Sequence, residues 1–420
     1  LVEGIPAVGG SSPNSMVVAG KYVFISNGNN DNITVLNAEN QQIVTHIKLA
    51  PEEKLAALRG IIPFGLAVSP DEKRIYVAES GINAVAVIDV STLKVLGHIP
   101  TAWFPAKLKV SPDGKKLIIS NAKGFGSGPN GGSTFKMGVS GSYIGNLMYG
   151  SVQVTDVPTD DQLPALTKQV IENNFKITPA NSPIYNARKN NPIPLFPGQK
   201  DSPIKHIVYI TKENRTYDEI FGQFKGANGD STIARYGLGR TVRDSAHVFE
   251  NVHVMPNHHL ISKAFSMSDN FYCDSDASIH GHHWMMGVIP NEWVETNSSV
   301  SKTAKILSKA PGRRFPSTTG SMDPEDYAEI GGLWEALDRK KISYYNFGQA
   351  NETAHVREDW SDTATGAAHI VMVPMQKGVW EKTSHNFAGY NTNIPDQFRM
   401  KQFEDEFTKK WLNGKDSMPQ

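Results

Sequence analysis

The sequence has one cysteine, Cys273, among its 420 residues. A single thiol excludes an internal disulfide framework and a zinc site built from several thiolates. No segment approaches the ~18 consecutive apolar residues that a membrane-spanning helix needs. Net charge is absent as well, because 42 Lys and Arg balance 42 Asp and Glu. That balance argues against a protein built to coat nucleic acid or an anionic membrane.

The composition is that of a folded protein with many turns. Hydrophobic residues make up 39% and charged residues 20%, which is enough for a core and excludes bulk disorder. The length favours two or three domains, and 36 Gly with 25 Pro favour turns over a helical bundle. The chain begins at Leu1 without Met or a signal segment, so we expect it to be processed or trimmed.

The first part of the chain repeats. Val68-Ser69-Pro70-Asp71 recurs as Val110-Ser111-Pro112-Asp113, and each is followed by a charged pair and a β-branched run. An earlier copy, Lys21 to Asn27, keeps the run without the Ser-Pro-Asp. Further alternating segments follow each copy, among them Asn32–Leu36, Ile43–Ile47, Asn83–Asp89, Val95–Ile99 and Ser151–Val154. Short strands separated by Pro-Asp turns at a period of 40 to 50 residues are typical of propeller blades.

Residues 69–105 closely resemble the YVTN-type β-propeller repeat. We predict three blades in residues 1–161, the third with a Gly- and Ser-rich insertion at about 124–150. Propellers generally need four to eight blades to close. We therefore expect either further blades before Leu1 or a sheet that closes against something else. The repeat holds no His cluster or acidic ring, which favours a structural role.

The pattern changes after residue 161. Leu163 to Phe175 predicts a short helix, and residues 162–203 otherwise have the Pro- and Asn-rich character of a linker. From there, residues 204–420 predict an α/β domain, in which Ile204–Ile210 is a buried parallel strand. Gly332–Leu337 predicts a helix and Ile342–Phe347 the next strand.

Two polar clusters in this second domain are candidates for chemistry. Glu213 and Asn214, with Thr216 and Asp218, follow the predicted strand, where open α/β sheets place ligands. A carboxylate beside an amide carbonyl suits a divalent cation. The same residues also suit helix caps or turns.

The second cluster, residues 269–284, contains three His, three Asp and two Ser. A Ser before Gly and His offers a nucleophile with proton carriers nearby. Two alternatives stay open: a zinc site built from His280, His282 and His283, and a solvated His-rich loop.

Together the two clusters resemble the phosphoesterase family that contains phospholipase C and acid phosphatase. The segment IKHIVYITKENRTYDEIFG is similar to that family's first motif. The second cluster is similar to its nucleophile loop, with six residues at the matching positions: Asp269, Phe271, Tyr272, Ser278, His282 and Trp284. Gly281 stands where the family has Asn, and one extra residue precedes the Ser. This spacing leaves the choice between Ser278 and Ser275 open.

The resemblance implies an alkaline-phosphatase-like fold and a metal-dependent phosphoesterase. Glu213 and Asn214 would ligate a divalent cation of unknown identity, Ser278 would attack phosphorus, and His282 would hydrogen-bond a phosphoryl or leaving-group oxygen. The substrate would be a small-molecule or lipid phosphoester, and the location periplasmic or extracellular. We expect the remaining metal ligands to lie beyond Gln420.

One other class of function remains an alternative, a non-catalytic surface or binding protein that uses the propeller as a recognition platform. A sulfatase is disfavoured, because Cys273 lacks the Pro and Arg context that sulfatases require.

Overall fold

The computed structural model describes most of the repeat region and several segments beyond it. The described residues are 12–56, 59–126, 149–175, 192–194, 202–212, 215–269, 271, 278–287, 332–349, 377–387 and 395–420.

Three antiparallel sheets follow one another along the first part of the chain, and within each the strands pair in sequence order. The first sheet holds β1 Pro13–Ala19, β2 Tyr22–Asn27, β3 Asn32–Asn37 and β4 Ile43–Lys48. The second holds β5 Pro63–Val68, β6 Arg74–Glu79, β7 Ala84–Asp89 and β8 Lys94–Pro100. The third holds β9 Pro105–Val110, β10 Lys116–Gly126 and β11 Tyr149–Asp156. None of the three closes into a barrel within the described residues.

The repeated turn is built the same way in both copies. The Ser69 hydroxyl donates to Asp71 Oδ1 at 2.6 Å and accepts from Arg74 N at 2.9 Å. Ser111, Asp113 and Lys116 repeat these bonds at 2.5 and 2.9 Å. The predicted turns and the strands around them are therefore confirmed. The sequence predicts each turn because its hydrogen bonds join residues that lie within a stretch of six.

The start of each sheet repeats too. Ser12, Ile62 and Phe104 precede the first proline of their sheets, and all three have positive φ, at 48°, 52° and 60°. Their carbonyls accept at 2.8–3.1 Å from Gly28 N, Ser80 N and Ala122 N; the first two donors directly follow the second strand, and the third lies within β10. Each sheet thus enters its first strand through the same strained position.

Side chains from one sheet hold the start of the next. Asp31 Oδ1 accepts from Ile62 N at 2.9 Å, and Asn83 Oδ1 accepts from Phe104 N at 2.8 Å. Asp31 and Asn83 both have positive φ, near 50°. The backbones also meet closely, since a Cβ on Gly65 of β5 would lie 2.3 Å from the carbonyl oxygen of Ala106 in β9. Neighbouring sheets are therefore joined by a repeated junction.

Helix α1, Leu163–Asn174, packs on the second sheet. Leu163 and Val170 are fully buried. Val170 lies in the apolar cluster that the second sheet shares with the first, and Leu163 lies in the one that it shares with the third. The Thr167 hydroxyl accepts from His98 N at 2.8 Å, and Asn174 Nδ2 donates to the Ile82 carbonyl at 2.9 Å. The predicted helix is confirmed, and it is an integral layer of the β-rich region.

Beyond residue 204 the described elements are mainly helical. The helices are α2 Tyr217–Phe221, α3 Pro256–Ala264, α4 Ser278–Gly287, α5 Leu333–Arg339, α6 Lys377–Glu381 and α7 Asp396–Phe407, which continues into a π-helical turn at Thr408–Leu412. A two-stranded antiparallel sheet pairs β12 Arg240–Arg243 with β13 Val248–Val252. The predicted helix at Gly332–Leu337 is confirmed as α5.

Two predicted strands differ from the structure. The segment Ile204–Ile210 forms no strand and is exposed, with Ile207 at 77% and Ile210 at 74% of full exposure. A buried parallel strand needs neighbours on both edges, whereas Ile207 N here donates to the Gln420 carbonyl at 2.8 Å. The segment Ile342–Phe347 forms one isolated parallel bridge, from Asn346 to Thr383. The described residues beyond 204 therefore contain no parallel sheet.

A cluster of half-buried aromatic rings joins segments in the last part of the chain. Tyr345 and Phe347 pack edge-on against Trp411, and Phe403 and Phe407 complete the contact from α7. The buried carboxylate of Glu406 accepts from the hydroxyls of Tyr345 and Ser384. This cluster anchors the segment that follows α5 and so positions the residues discussed next.

Candidate functional site

The first motif surrounds the start of α2. Glu213 and Asn214, the two predicted metal ligands, lie outside the described residues. Thr216, two residues later, caps the helix: its hydroxyl accepts from Glu219 N at 3.3 Å, and Thr216 N donates to Glu219 Oε2 at 3.1 Å. This reciprocal pair is a capping box. Thr216 therefore acts as a helix cap.

Asp218 and Asp269 hold the chain that lies between the two motifs. Asp218 Oδ1 accepts from Asp230 N at 2.8 Å, and Asp269 Oδ2 accepts from Asn228 N at 2.7 Å. Both carboxylates therefore bond the same short loop. Burial, with the nearby charges of Asp269 and Asp218, raises the pKa of Tyr217. The two motifs thus approach each other at this loop.

Helix α3 supports α2 through a buried histidine. His259 is 4% exposed, its Nε2 lies 2.9 Å from the Ile220 carbonyl oxygen, and its ring packs on Phe221 with centroids 5.2 Å apart. His259 is therefore part of the packing between the helices. Its neighbour His258 is half-buried, and this burial, together with the charge of Lys212, lowers the pKa of that imidazole.

The second motif ends in α4. Residues 272–277, which include Cys273 and the alternative nucleophile Ser275, lie outside the described residues. Helix α4 begins at Ser278 and includes His282. Positions 278 and 282 are four residues apart and so lie on one face of the helix. The side chains of Ser278, His280 and His283 are not among those that the structure describes.

Among the predicted site residues, the structure describes a side-chain contact for His282. Its Nδ1 lies 3.1 Å from Gln349 Nε2 and 3.3 Å from Gln349 Oε1. Gln349 lies ten residues after the end of α5. The sequence does not indicate that it is a site residue, because a lone glutamine in a turn is not typical of any site.

A glycine brings α5 against α4. A Cβ on Gly332, the residue before α5, would lie 2.6 Å from the Met286 carbonyl oxygen, so only glycine fits without a shift. Gly332 N donates to Glu335 Oε2 at 2.7 Å, which fixes the start of α5. The sequence does not reveal this contact either, because the pattern around Gly332 indicates only the helix.

The predicted metal site remains a prediction. Within the described residues, no group of three or more His, Cys, Asp or Glu side chains is arranged to hold a metal ion. The side chains of Ser278, Glu213 and Asn214 lie outside that set, so the distances between them stay untested. The zinc alternative also stays untested, because it involves the side chains of His280 and His283, which lie outside the set too. No described helix is both long and apolar enough to cross a bilayer.

Residues 204–310 match the model of the family described as "Phosphoesterase family". The match covers both motifs, including Glu213, Asn214, Ser278 and His282. No curated protein matches the chain.

Solved structures resemble only part of the chain. Hydrazine synthase from Kuenenia stuttgartiensis is 22% identical over 29% of this chain and 33% of its own, with a TM-score of 0.24. A functionally unknown protein from Desulfotomaculum acetoxidans is 13% identical over 27% and 36%, with a TM-score of 0.23. A putative 6-phosphogluconolactonase from Bacteroides fragilis is 17% identical over 27% and 33%, with a TM-score of 0.24. The chain spans about a third of each, and likeness at these scores carries no argument.

The conclusion rests on the family match alone. Residues 204–310 are similar to the Phosphoesterase family, and this match supports the prediction of a hydrolase acting on phosphoric ester bonds.

Proposed function

We propose that the domain hydrolyses phosphoesters through Ser278, with His282 as a hydrogen-bond donor to the phosphoryl group or the leaving-group oxygen. The observation that carries this proposal is that α4 begins at Ser278 and places position 282 one turn further on the same face. The amino-terminal end of a ten-residue helix has unpaired N–H groups and a partial positive charge. A phosphoryl group is stabilised at such a position.

The proposed reaction has two steps. Ser278 Oγ forms a bond to phosphorus as the bond to the leaving-group oxygen breaks, and the hydroxyl proton leaves to solvent. Water then attacks phosphorus, the bond from Ser278 Oγ to phosphorus breaks, and Oγ takes up a proton that the attacking water gives up. The product is phosphate, or a phosphomonoester if the substrate is a diester. His282 orients one oxygen throughout. The resulting free serine begins the next cycle.

A divalent cation is part of the proposal. Glu213 and Asn214 offer a carboxylate and an amide oxygen, a donor set that fits a hard cation. When bound, such a cation neutralises phosphoryl charge and makes the serine hydroxyl more acidic. We propose a periplasmic or extracellular location on the family resemblance, and a lipid phosphoester as one substrate class.

The three sheets of the first part are proposed to be propeller blades with a structural or substrate-presenting role. Their strands pair in sequence order, and the repeated junctions set β1, β5 and β9 side by side, which supports this arrangement. The cluster of candidate groups lies elsewhere in the chain, around α2 and α4.

The test compares Ser278→Ala with Ser275→Ala in the full chain. Turnover of p-nitrophenyl phosphate and of bis(p-nitrophenyl) phosphate is measured after chelation and again after adding back Mg²⁺, Mn²⁺, Ca²⁺ or Zn²⁺. We expect Ser278→Ala to lose about 10³-fold or more in kcat and Ser275→Ala to retain activity. The reverse pattern would move the nucleophile to Ser275. Turnover that survives in both variants would overturn the serine mechanism.

Two further arms of the experiment separate the remaining alternatives. Phosphatidylcholine vesicles replace the soluble esters to test a lipid substrate. Phosphoester binding without turnover, in every metal, would favour the recognition-platform alternative.

A further inference from the structure

A buried carboxyl group and a buried imidazole meet between the first and second sheets. Glu79 in β6 and His98 in β8 are 0% and 1% exposed, and Glu79 Oε2 lies 2.8 Å from His98 Nδ1. Glu79 shares a face of β6 with Ile75 and Val77, because side chains alternate along a strand. His98 pairs across the sheet with Ala86. Ile75, Val77 and Ala86 all belong to the apolar cluster that the second sheet shares with the first, so the pair lies in that interface.

A second buried carboxyl group lies close to this pair. Asp31, between β2 and β3 of the first sheet, is 7% exposed. Within the described residues, the charges that act on Glu79 are those of its imidazole partner and of Asp31. Arg59 in turn acts on Asp31. On α1, which packs on β8, the charged side chains of Lys168 and Glu172 are exposed. The interface therefore holds two carboxyl groups and one imidazole.

The pair of Glu79 and His98 is electrically neutral when it holds one proton more than an ionised carboxyl group and a neutral imidazole hold together. This is true whichever of the two side chains carries that proton. Without it, a buried carboxylate remains near Asp31 with no opposite charge in the pair, which is unfavourable in a protein interior. Burial raises the pKa of Glu79, and the charge of Asp31 adds to this effect, although His98 opposes it. The closed interface therefore favours the pair that keeps the extra proton.

The interface between the second and third sheets has amides at the equivalent positions. Asn121 is 3% exposed and, like Glu79, lies five residues after the residue that closes the Ser-Pro-Asp turn. Asn83 takes the place of Asp31 at the start of the next sheet. Amide side chains do not titrate. The second interface is thus an uncharged counterpart of the first within the same chain.

We propose that Glu79, His98 and Asp31 form a pH-sensitive lock between the first and second sheets, which is closed while the pair keeps its extra proton and weakens as the pH rises. When the interface opens, the two side chains enter water, where a histidine changes charge at about pH 6.5. Above that pH, opening releases the extra proton, so each further pH unit favours the open form by up to about tenfold. The lock is therefore strongest at the acidic end of this range, and it does not depend on the phosphoesterase function.

Amide hydrogen exchange of the full chain from pH 6 to pH 9 tests the lock. The two reporters are the N–H groups of Ile62 and Phe104, which donate to Asp31 and Asn83 across the first and second interfaces. After correction for the intrinsic exchange rate at each pH, we expect the protection of Ile62 to fall by about 10- to 100-fold over this range and that of Phe104 by less than about threefold. Equal pH dependence at the two amides of the parent chain, or none at Ile62, overturns the proposal.

A charge-removing variant identifies the group responsible. Glu79→Gln keeps a side chain of nearly the same size without a titrating group, so Ile62 and Phe104 should then have the same pH dependence. The matched control is Glu39→Gln, at an exposed position between β3 and β4, which should keep the parent's profile. A folded Glu79→Gln chain that retains the fall at Ile62, or a Glu39→Gln chain that loses it, contradicts the role of the pair. If Glu79→Gln does not fold, the comparison of the two amides in the parent chain still decides.

Discussion

At the scale of single residues, two aspartates at equivalent positions of the repeat, Asp89 and Asp156, make different contacts. Asp89, at the end of β7, accepts from the Ser91 hydroxyl at 2.6 Å and from Thr92 N at 2.8 Å, and it pairs with Arg74. Asp156, at the same place in the third sheet, pairs with Lys116 at 2.7 Å and is 82% exposed. Asp156 can therefore serve as the control for Asp89, whose carboxylate accepts several hydrogen bonds.

This difference predicts a pH-dependent stability. The hydrogen bond from Ser91, together with those from Thr92 and the charge of Arg74, lowers the pKa of Asp89 to about 2 from its usual 3.8. Because the folded-state pKa is the lower one, the stabilisation is present above pH 4 and is lost as the pH falls from about 3.8 towards 2. Asp89→Asn should therefore lower the free energy of unfolding by about 1–2 kcal/mol at pH 7, and the difference should vanish near pH 2.

Urea unfolding at several pH values measures the effect. Asp156→Asn is the control, because an exposed ion pair contributes about 0–1 kcal/mol. An equal loss in both variants at pH 7 would show that the turn donors add nothing.

At the scale of elements, the junction between sheets is the distinctive feature. Asp31 and Asn83 both adopt positive φ and both accept from the N–H that precedes the next sheet. Either Asp or Asn satisfies the two requirements, because each tolerates the left-handed conformation and carries a short acceptor. The junction therefore depends on side-chain length and acceptor more than on charge.

Exchanging the residue at position 83 tests this view. Asn83→Asp copies the first junction and should change the free energy of unfolding by less than about 1 kcal/mol. Asn83→Ala should lose about 2–3 kcal/mol, from an unpaired Phe104 N–H and from alanine in a left-handed conformation. Denaturant unfolding gives both values. Similar values for the two variants would mean that the bond to Phe104 N is not a significant part of the junction.

Elements differ in how far the sequence predicts them. The Ser-Pro-Asp turns, the strands beside them and helix α1 follow from patterns within about a dozen residues, and the structure contains them. The segment Ile204–Ile210 has the composition of a buried strand, but burial depends on partner strands that its own residues do not encode. Gln349 meets His282 across 67 positions of sequence, so no local pattern reveals this contact.

At the scale of the whole molecule, the helix after the third sheet covers the second. Leu163 and Val170 are buried against β8 and its neighbours, and two hydrogen bonds reach His98 and Ile82. A division of the chain at residue 161 would separate this helix from the sheet that it covers.

Two shortened chains should therefore differ in stability. Residues 1–175 keep α1, whereas residues 1–161 lose it and expose the apolar face under Leu163 and Val170. We expect the shorter chain to be less stable by about 3–6 kcal/mol, from about 1.5–3 kcal/mol for each buried side chain, and to bind more of the dye ANS. Lys168→Ala, at an exposed position of the helix in the longer chain, is the control and should have little effect. Equal urea midpoints would show that α1 does not stabilise the sheets.

The order of these contacts along the chain has a consequence for synthesis. Each sheet is complete within about fifty residues, and each junction joins a finished sheet to the residue that begins the next. The sheets can therefore form in the order in which the ribosome releases them. The cover of the second sheet is the exception, since α1 is translated only after the third sheet. Strand β8, at the edge of the middle sheet, is thus covered only after all three sheets have been translated.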